Sequence, residues 1–424
     1  MPMSAAFQAR LNPLLPPIAE HFGTPFHLYD EIGIRENAKK LFAAFEGIEG
    51  FREYFAVKAL PNPRIMSILR EMGCGFDCSS IPELILSRQV GARGDDIMFT
   101  SNNTTREEFE VALADGGCIV NLDDITLVSK LPVVPELLCF RYNPGALRTG
   151  NAIIGKPEEA KFGISHEQFL EAYRIACEAG VKRFGLHTML VSNERDYRYM
   201  VQTAQMLLTL VEHATRELGI TFEFINIGGG LGIPYRPEDE PLNIEALGSE
   251  ICILLAQFKQ KHGYAPKLLM ESGRYMTGAH GILVTRAINH KDTYRHYIGV
   301  DASMSALMRP GMYGAYHHVS VFGKEDSPHT QVYDVVGSLC ENNDKFAVQR
   351  ELPTIEDGDL LMIHDTGAHG HSMGFTYNGR LRPQELLLRA DGSVERIRRA
   401  ETVADYFATL NFASDAIRPT DQGV

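Results

Sequence analysis

The chain contains no tryptophan. Any stacking surface for a ring-bearing ligand must therefore come from tyrosine, phenylalanine or histidine. Cysteine is scarce. Cys74, Cys78, Cys118, Cys139, Cys177, Cys252 and Cys340 are scattered, odd in number and mostly set in apolar runs. That distribution argues against a disulfide framework and suits a reducing compartment. Cys74 and Cys78 lack a second Cys/His pair to complete a zinc site, so no metal is expected there. Positive charge is also short. The net charge of −13 argues against a nucleic-acid or anionic-membrane partner, because both require basic surface. No apolar run reaches membrane-spanning length, and the N-terminus lacks a basic-then-apolar signal. The expectation is a cytoplasmic protein that acts on a small molecule.

What the chain does have is length, with 424 residues, and an ordinary globular mix of 44% hydrophobic and 22% charged residues. That length suits two domains. From about residue 52, short apolar runs alternate with amphipathic ones. The expected strands are 54–60, 75–80, 96–101, 118–123, 137–143, 184–190, 223–229 and 267–272. Helical spacing fills most of the intervals, as in 165–180, with Ser165 as N-cap and Gly180 as stop, and in 195–219. Eight such repeats predict a parallel (β/α) barrel, with an open doubly wound sheet as the competing α/β architecture. After about residue 278, strand-like runs follow one another at 281–288, 297–303, 331–339, 359–365 and 385–390. Asp391-Gly392 reads as a hairpin turn. The expected division is a barrel over 30–278 and a β-rich domain formed by 1–29 and 279–424. No repeat or low-complexity tract is evident.

The stretch 54-YFAVKALPNP-63 sets Lys58 at the end of an apolar strand, just before a rigid turn. In a barrel of this kind the chemistry sits at the C-terminal strand ends, and other polar residues fall at the same ends. They are Ser79 and Ser80, Asn102 and Asn103, Arg141, Asn143, His187 and Glu271, with Arg274 just beyond. Taken singly, each reads as a strand-end residue meeting solvent. The run 226-NIGGGLGIPY-235 offers a glycine cradle for phosphate at Gly228, Gly229 and Gly230. It is not the dinucleotide pattern, because Pro234 interrupts and no helix follows promptly. A lone lysine is ordinarily a snorkelling one. A lysine, a glycine cradle and a carboxylate on one rim are together what pyridoxal phosphate requires. In that arrangement desolvation frees the lysine amine as a nucleophile.

Eight separated motifs carry a closer likeness: 54-YFAVKALPNP-63, 76-FDCSSIPEL-84, 161-KFGI-164, 227-IGGGLG-232, 271-ESGRY-275, 309-RPGMYGAYH-317, 340-CENND-344 and 377-YNGRLRP-383. Over roughly residues 25–395 the chain resembles the fold-type III pyridoxal-phosphate decarboxylases, most closely the diaminopimelate decarboxylases. The resemblance implies an alanine-racemase-type eight-stranded barrel with a C-terminal β-rich domain. It implies that Lys58 is the Schiff-base lysine, that Gly228, Gly229, Gly230 and Ser192 hold the cofactor phosphate, and that Glu271 pairs with the pyridine nitrogen. His187, His369 and Tyr377 are further cofactor-side candidates. Arg274, Arg309 and Tyr313 match residues that grip a distal carboxylate, and Glu341 matches the reader of the distal amine. Cys340 matches a cysteine placed over the substrate, where it returns a proton to Cα. Cys340 and Glu341 are expected to reach the partner's site in a homodimer with shared active sites. The expected reaction converts meso-diaminopimelate to L-lysine and CO2.

The chain departs from the family's pattern at two places. In 185-GLHTMLVSN-193 the position of the ring-stacking histidine falls on Met189, so either His187 or a thioether covers the ring. In 366-TGAHG-370, His369 stands where the family has a tyrosine. These departures leave open a related amino acid or a carboxylate-bearing siderophore-type or other natural-product intermediate as substrate. A racemase and a non-catalytic homologue are the more distant readings. Glu271 argues against the first, because racemases of this barrel place an arginine there, and the retained Lys58, Cys340 and Glu271 argue against the second. His364, His369 and His371 cluster in sequence, but no metal is expected.

Overall fold

In the computed structural model, which describes residues 3–150 and 155–412, the chain begins with two short helices and the strand β1 (Phe26–Asp30). Eight strands then close a parallel barrel. They are β2 (Arg52–Ala56), β3 (Gly75–Cys78), β4 (Gly94–Ser101), β5 (Cys118–Leu122), β6 (Leu137–Arg141), β7 (Arg183–His187), β8 (Phe222–Asn226) and β9 (Lys267–Met270). Closure is by β2 beside β9, with Arg52 opposite Leu269. The open-sheet alternative is excluded.

The strands are short, apolar and buried on both faces because helices cover the outside and the barrel fills its own interior. Phe55, Phe76, Leu138 and Ile225 have no exposed surface. Local sequence sets the helix starts. Asn62 Oδ1 accepts from the Arg64 amide, and Pro63 opens the helix Pro63–Glu71 with the ring geometry that suits a first turn. Thr105 and Glu108 form a reciprocal capping box for Arg106–Leu113. One interval departs from the alternation, since a 3₁₀ segment, Ile125–Lys130, follows β5 in place of an α-helix.

Most expected strands overran the observed ones at the barrel mouth. The run 54–60 stops at Ala56, and Lys58 lies in a 3₁₀ turn, Val57–Ala59. Similarly, 184–190 stops at His187 and 223–229 at Asn226. The expected helix 165–180 is Phe169–Glu178 with Gln168 at its N-cap. Ser165 instead donates its hydroxyl to Glu167 and its amide to Gln168 Oε1, a local turn that competes with helix. The helix expected over 195–219 runs Tyr197–Leu218 and ends on left-handed Gly219.

The second unit is a mixed sheet. Its remaining strands are β10 (Gly281–Asp292), β11 (His296–Val300), β12 (Val319–Val321), β13 (Gln331–Val336), β14 (Lys345–Leu352), β15 (Leu360–Ile363), β16 (Gln384–Leu388) and β17 (Val394–Arg398). The order is β14-β13-β11-β10-β1-β16-β17, with β15 joining β10 to β12. The N-terminal β1 is therefore central, between β10 and β16. Gly392 (φ +86°) turns the β16–β17 hairpin. Three strands escaped the sequence reading. β12 is three residues long. β14 and β17 lie at the sheet's two ends, where polar side chains dilute the apolar signal. The Pro61-Asn62-Pro63 turn ties the two units together. Asn62 is fully buried and donates to Glu385 Oε2 on β16 at 3.1 Å.

Candidate active site

A cavity of about 500 Å³ lies where the barrel mouth meets the β-rich unit. The barrel contributes Lys58, Asp77, Arg141, Ser192, Glu271 and Arg274 among others. Arg309, Tyr313 and His369 close it from the other side. Residues some 300 positions apart in sequence therefore face one space.

Lys58 is exposed into this cavity while Val57 and Ala59 on either side are buried. The turn carrying it is pinned from the β-rich unit, where the His369 amide (2.8 Å) and the Ser372 hydroxyl (3.2 Å) donate to the Ala59 carbonyl. The sequence led us to expect apolar surroundings for the lysine. Instead its charge acts on the carboxyls of Asp77, Glu83 and Glu271, favouring ionisation of each. The apolar residues of β2 serve the barrel core, and the amine has left the strand.

Glu271 is buried just past β9. Burial opposes its ionisation most strongly, but the field and hydrogen bond of His187, the charge of Lys58 and the Asn226 amide together hold the carboxyl below its usual range. Asn226 Nδ2 donates to Oε1 at 2.7 Å, and His187 Nε2 lies 3.2 Å from Oε2. On the far side of the imidazole, Asn121 Nδ2 lies 2.9 Å from Nδ1. The His187 ring is thus held at both nitrogens, between Asn121 and Glu271. Two other carboxyls share the barrel mouth. Glu53 and Asp77 are driven well above the usual range, chiefly by burial and then partly by the charge of Glu271. Of these three carboxyls, Glu271 alone is shifted toward the charged form.

The three glycines of 226-NIGGGLGIPY-235 are wedged between neighbouring chains. A Cβ on Gly228 would stand 2.4 Å from the Thr188 carbonyl, on Gly229 2.2 Å from the Glu271 carbonyl, and on Gly230 2.4 Å from the Val191 carbonyl. Gly228 and Gly230 also have left-handed φ values of +71° and +96°. Only Gly230 of the three lines the cavity. The Gly228 amide donates to Asn226 Oδ1, and that of Gly229 faces Met189 Sδ at 3.2 Å. Ser192 stands nearby, 3.4 Å from Arg274 Nη2. His187 and Met189 both border the cavity, but His187 is buried and engaged by Asn121 and Glu271, whereas Met189 reaches the glycine run.

Arg274 and Arg309 are 8% and 3% exposed, and among the described residues neither is ion-paired with a carboxylate. Arg274 donates to the Tyr235 hydroxyl, and Arg309 donates to His317 Nε2 at 2.7 Å. The Arg309 guanidinium lies 4.7 Å from the Tyr235 ring centre. His369 is held neutral. Burial first, then the charges of Arg274, Lys58 and Arg309, push it well below the usual imidazole range.

Several expected residues lie elsewhere. Cys340 and Glu341 border a second cavity of about 490 Å³ alongside β10 and β11, and Tyr377 is 52% exposed. The two segments touch, because the Cys340 amide donates to Asn378 Oδ1 at 2.7 Å. Within one chain they are not brought to Lys58. Asn143 is structural, holding the carbonyls of Pro157 and Phe162. Asn103 donates to Asn102, which itself lines the cavity with Ser79. His364 binds Ser320, His371 the Pro383 carbonyl, and His369 faces the cavity, so the sequence cluster disperses in space. Sequence reasoning missed Asp77, Asn121, Tyr235 and His317. Three of these sit inside motifs already quoted. Asn121 was marked by a polar residue within the apolar run 118–122.

Comparison with known proteins agrees with this geometry. The model of the pyridoxal-dependent decarboxylase family, pyridoxal binding domain, matches residues 33–278. The chain is 47% identical over 421 residues to protein TabA of Pseudomonas amygdali pv. tabaci, covering 99% of each. It is 38% identical over 401 residues to the diaminopimelate decarboxylase of Methanothermobacter thermautotrophicus, covering 93% of each. A crystal structure of diaminopimelate decarboxylase from M. jannaschii superposes with a TM-score of 0.85 at 31% identity, over 95% of this chain and 94% of that one. A second crystal structure of that enzyme, in complex with L-lysine, superposes equally well.

Proposed function

The chain belongs to the pyridoxal-dependent decarboxylases, and from that premise we propose that it releases the α-carboxylate of meso-diaminopimelate as CO2 and yields L-lysine. The carrying observation is the pair Arg274 and Arg309. Two buried guanidinium groups, neither ion-paired with a carboxylate among the described residues, face the same cavity as Lys58 and Glu271. Buried charge of this kind calls for an anion, and arginine's planar fork suits a carboxylate or phosphate.

The residues fit pyridoxal phosphate. The glycine run has no room for a Cβ, Ser192 and Arg274 stand beside it, and Glu271 is held as an anion opposite the lysine. When bound, pyridoxal phosphate supplies a sink for the electron pair left as the Cα–carboxylate bond breaks. The chain's own residues do the rest. Lys58 carries the cofactor through its Nζ. Gly230 and Ser192 seat the phosphate, and Gly228 and Gly229 let the run pack where no Cβ fits. Glu271, oriented by Asn226 and His187, holds a proton at the pyridine nitrogen. Met189, placed against Gly229, covers the ring in this reading, while His187 supports Glu271. His369 and Tyr377 complete the cofactor's surroundings. Arg309 and Tyr313 bind the distal carboxylate, and Arg274 spans that group and the phosphate seat.

The reading includes a homodimer. Cys340 and Glu341 lie outside their own chain's cavity and next to the exposed Tyr377 segment, as expected of residues that serve a partner. From there Cys340 Sγ returns the proton to Cα, and Glu341 binds the distal amine. A second substrate reading keeps the chemistry on a related amino acid or a carboxylate-bearing natural-product intermediate. Met189, His369 and the 47% identity to TabA favour it. Measuring CO2 release from meso-diaminopimelate, L-lysine, L-ornithine and related amino acids decides between the two. Turnover confined to meso-diaminopimelate supports the first, and turnover of another substrate without it rejects the first.

A further inference from the structure

The segment 309-RPGMYGAYH-317 doubles back on itself. Arg309 opens the helix Arg309–Tyr313, and Gly314, left-handed at φ +61°, ends it. The chain then returns His317 to the side of Arg309. His317 has no exposed surface. Its Nδ1 lies 2.7 Å from the His364 carbonyl oxygen, a pure acceptor, so Nδ1 carries hydrogen. Its Nε2 lies 2.7 Å from Arg309 Nη1, a pure donor, so Nε2 presents its lone pair. Geometry alone therefore sets a neutral imidazole in one tautomer. Burial and the charge of Arg309 push its pKa well below the ordinary value in agreement.

Tyr235 completes the frame. The His317 ring meets the Tyr235 ring edge-on, with centres 5.1 Å apart. Arg309 stacks over the same Tyr235 ring, and Arg274 donates to its hydroxyl. The His317 carbonyl in turn accepts from Arg350 at 3.1 Å. Arg309 is thus fixed on two sides, and neither side is anionic. A carboxylate in the place of His317 would orient the guanidinium equally well but would neutralise it and compete with an incoming anion. A neutral acceptor orients it and leaves its charge for the ligand.

We propose that His317 is a positioning residue for substrate selection, holding Arg309 against Tyr235 so that the guanidinium receives the carboxylate at the far end of the substrate. The proposal rests on the reading of Arg309 given above. A histidine that is merely satisfied in the core would not be selective for that carboxylate.

Two substitutions separate the roles. His317→Gln keeps an acceptor within reach of Arg309. His317→Asn keeps a donor for the His364 carbonyl but withdraws the acceptor from Arg309. Each is assayed as holoenzyme, with KM and kcat for meso-diaminopimelate and the inhibition constant of cadaverine, the diamine that lacks the distal carboxylate. Loss of one charge-assisted contact is worth about a 10- to 100-fold change. His317→Asn is expected to raise KM for meso-diaminopimelate by about that factor, with kcat and the cadaverine constant within a few-fold of wild type. His317→Gln is expected to recover most of the loss. An unchanged KM in His317→Asn overturns the proposal, as does an equal loss of meso-diaminopimelate and cadaverine binding in both variants. If His317→Asn does not fold, His317→Gln decides alone. A wild-type-like ratio of the meso-diaminopimelate KM to the cadaverine inhibition constant supports the proposal, and a collapsed ratio overturns it. Wild-type enzyme inert toward meso-diaminopimelate overturns the reading of Arg309 and this inference together, whereas active wild type with an unaffected His317→Asn overturns the inference alone.

Discussion

Gly229→Ala is the sharpest steric test of the cofactor seat. Unlike Gly228 and Gly230, Gly229 does not adopt a left-handed φ, so backbone strain contributes nothing and only the new methyl group matters. That methyl would sit 2.2 Å from the Glu271 carbonyl oxygen. An ordinary contact needs about 1 Å more, and backbone, not a flexible side chain, must supply it. Overpacking of this size costs about 1–3 kcal/mol, and each kcal/mol lowers Tm by about 2–4 °C in a domain of this length. The displaced backbone carries Glu271 itself, so cofactor affinity falls together with stability. The assay is thermal unfolding with and without pyridoxal phosphate, plus a binding titration. A Gly229→Ala protein with wild-type Tm and wild-type cofactor affinity would refute the packing argument. A lowered Tm with unchanged affinity would refute the coupling between glycine run and Glu271.

Three further expectations follow from the same geometry. Met189→Ala should shift the absorbance of bound cofactor and speed its dissociation; if both match wild type, the thioether does not lie on the ring. Burial is the main cause lowering His27 and His280 to about 4. Below pH 6.5 the unfolded chain takes up protons that these two folded imidazoles refuse, so stability is lost as pH falls from about 6.5 toward 4, by roughly 3 kcal/mol for each group. Equal denaturant midpoints at pH 7 and pH 5 would contradict that. Finally, mixing inactive Lys58→Ala and inactive Cys340→Ala proteins should restore activity, since a hybrid dimer contains one site with both native residues. A mixture as dead as its components would remove Cys340 from the partner's site.

The barrel was legible because its strands are apolar on both faces and its helices carry their own caps, as at Asn62-Pro63 and Thr105-Glu108. Lys58, Glu271 and Arg274 were legible because charged residues at strand ends or in tight turns stand out against that background, and Arg309 only through the resemblance carried by 309-RPGMYGAYH-317. What the sequence concealed were contacts made across the fold. Nothing near 54-YFAVKALPNP-63 announces that His369 grips the turn carrying the lysine. Nor does it show that the charge of Lys58 acts on the carboxyls of Asp77, Glu83 and Glu271. His187 was legible as a residue of the barrel mouth, but its partners Asn121 and Glu271 come from elsewhere in the barrel. The edge strands β14 and β17 were lost for a simpler reason, since half-exposed strands carry mixed side chains.

We propose that Lys58 Nζ is the atom through which this cavity holds its cofactor. The direct measurement is borohydride reduction of the purified holoenzyme, followed by peptide mapping by mass spectrometry. A stable pyridoxyl adduct is expected on the peptide containing Lys58, with loss of the adduct in Lys58→Ala. An adduct on another lysine, or none in an enzyme that still releases CO2, would contradict it.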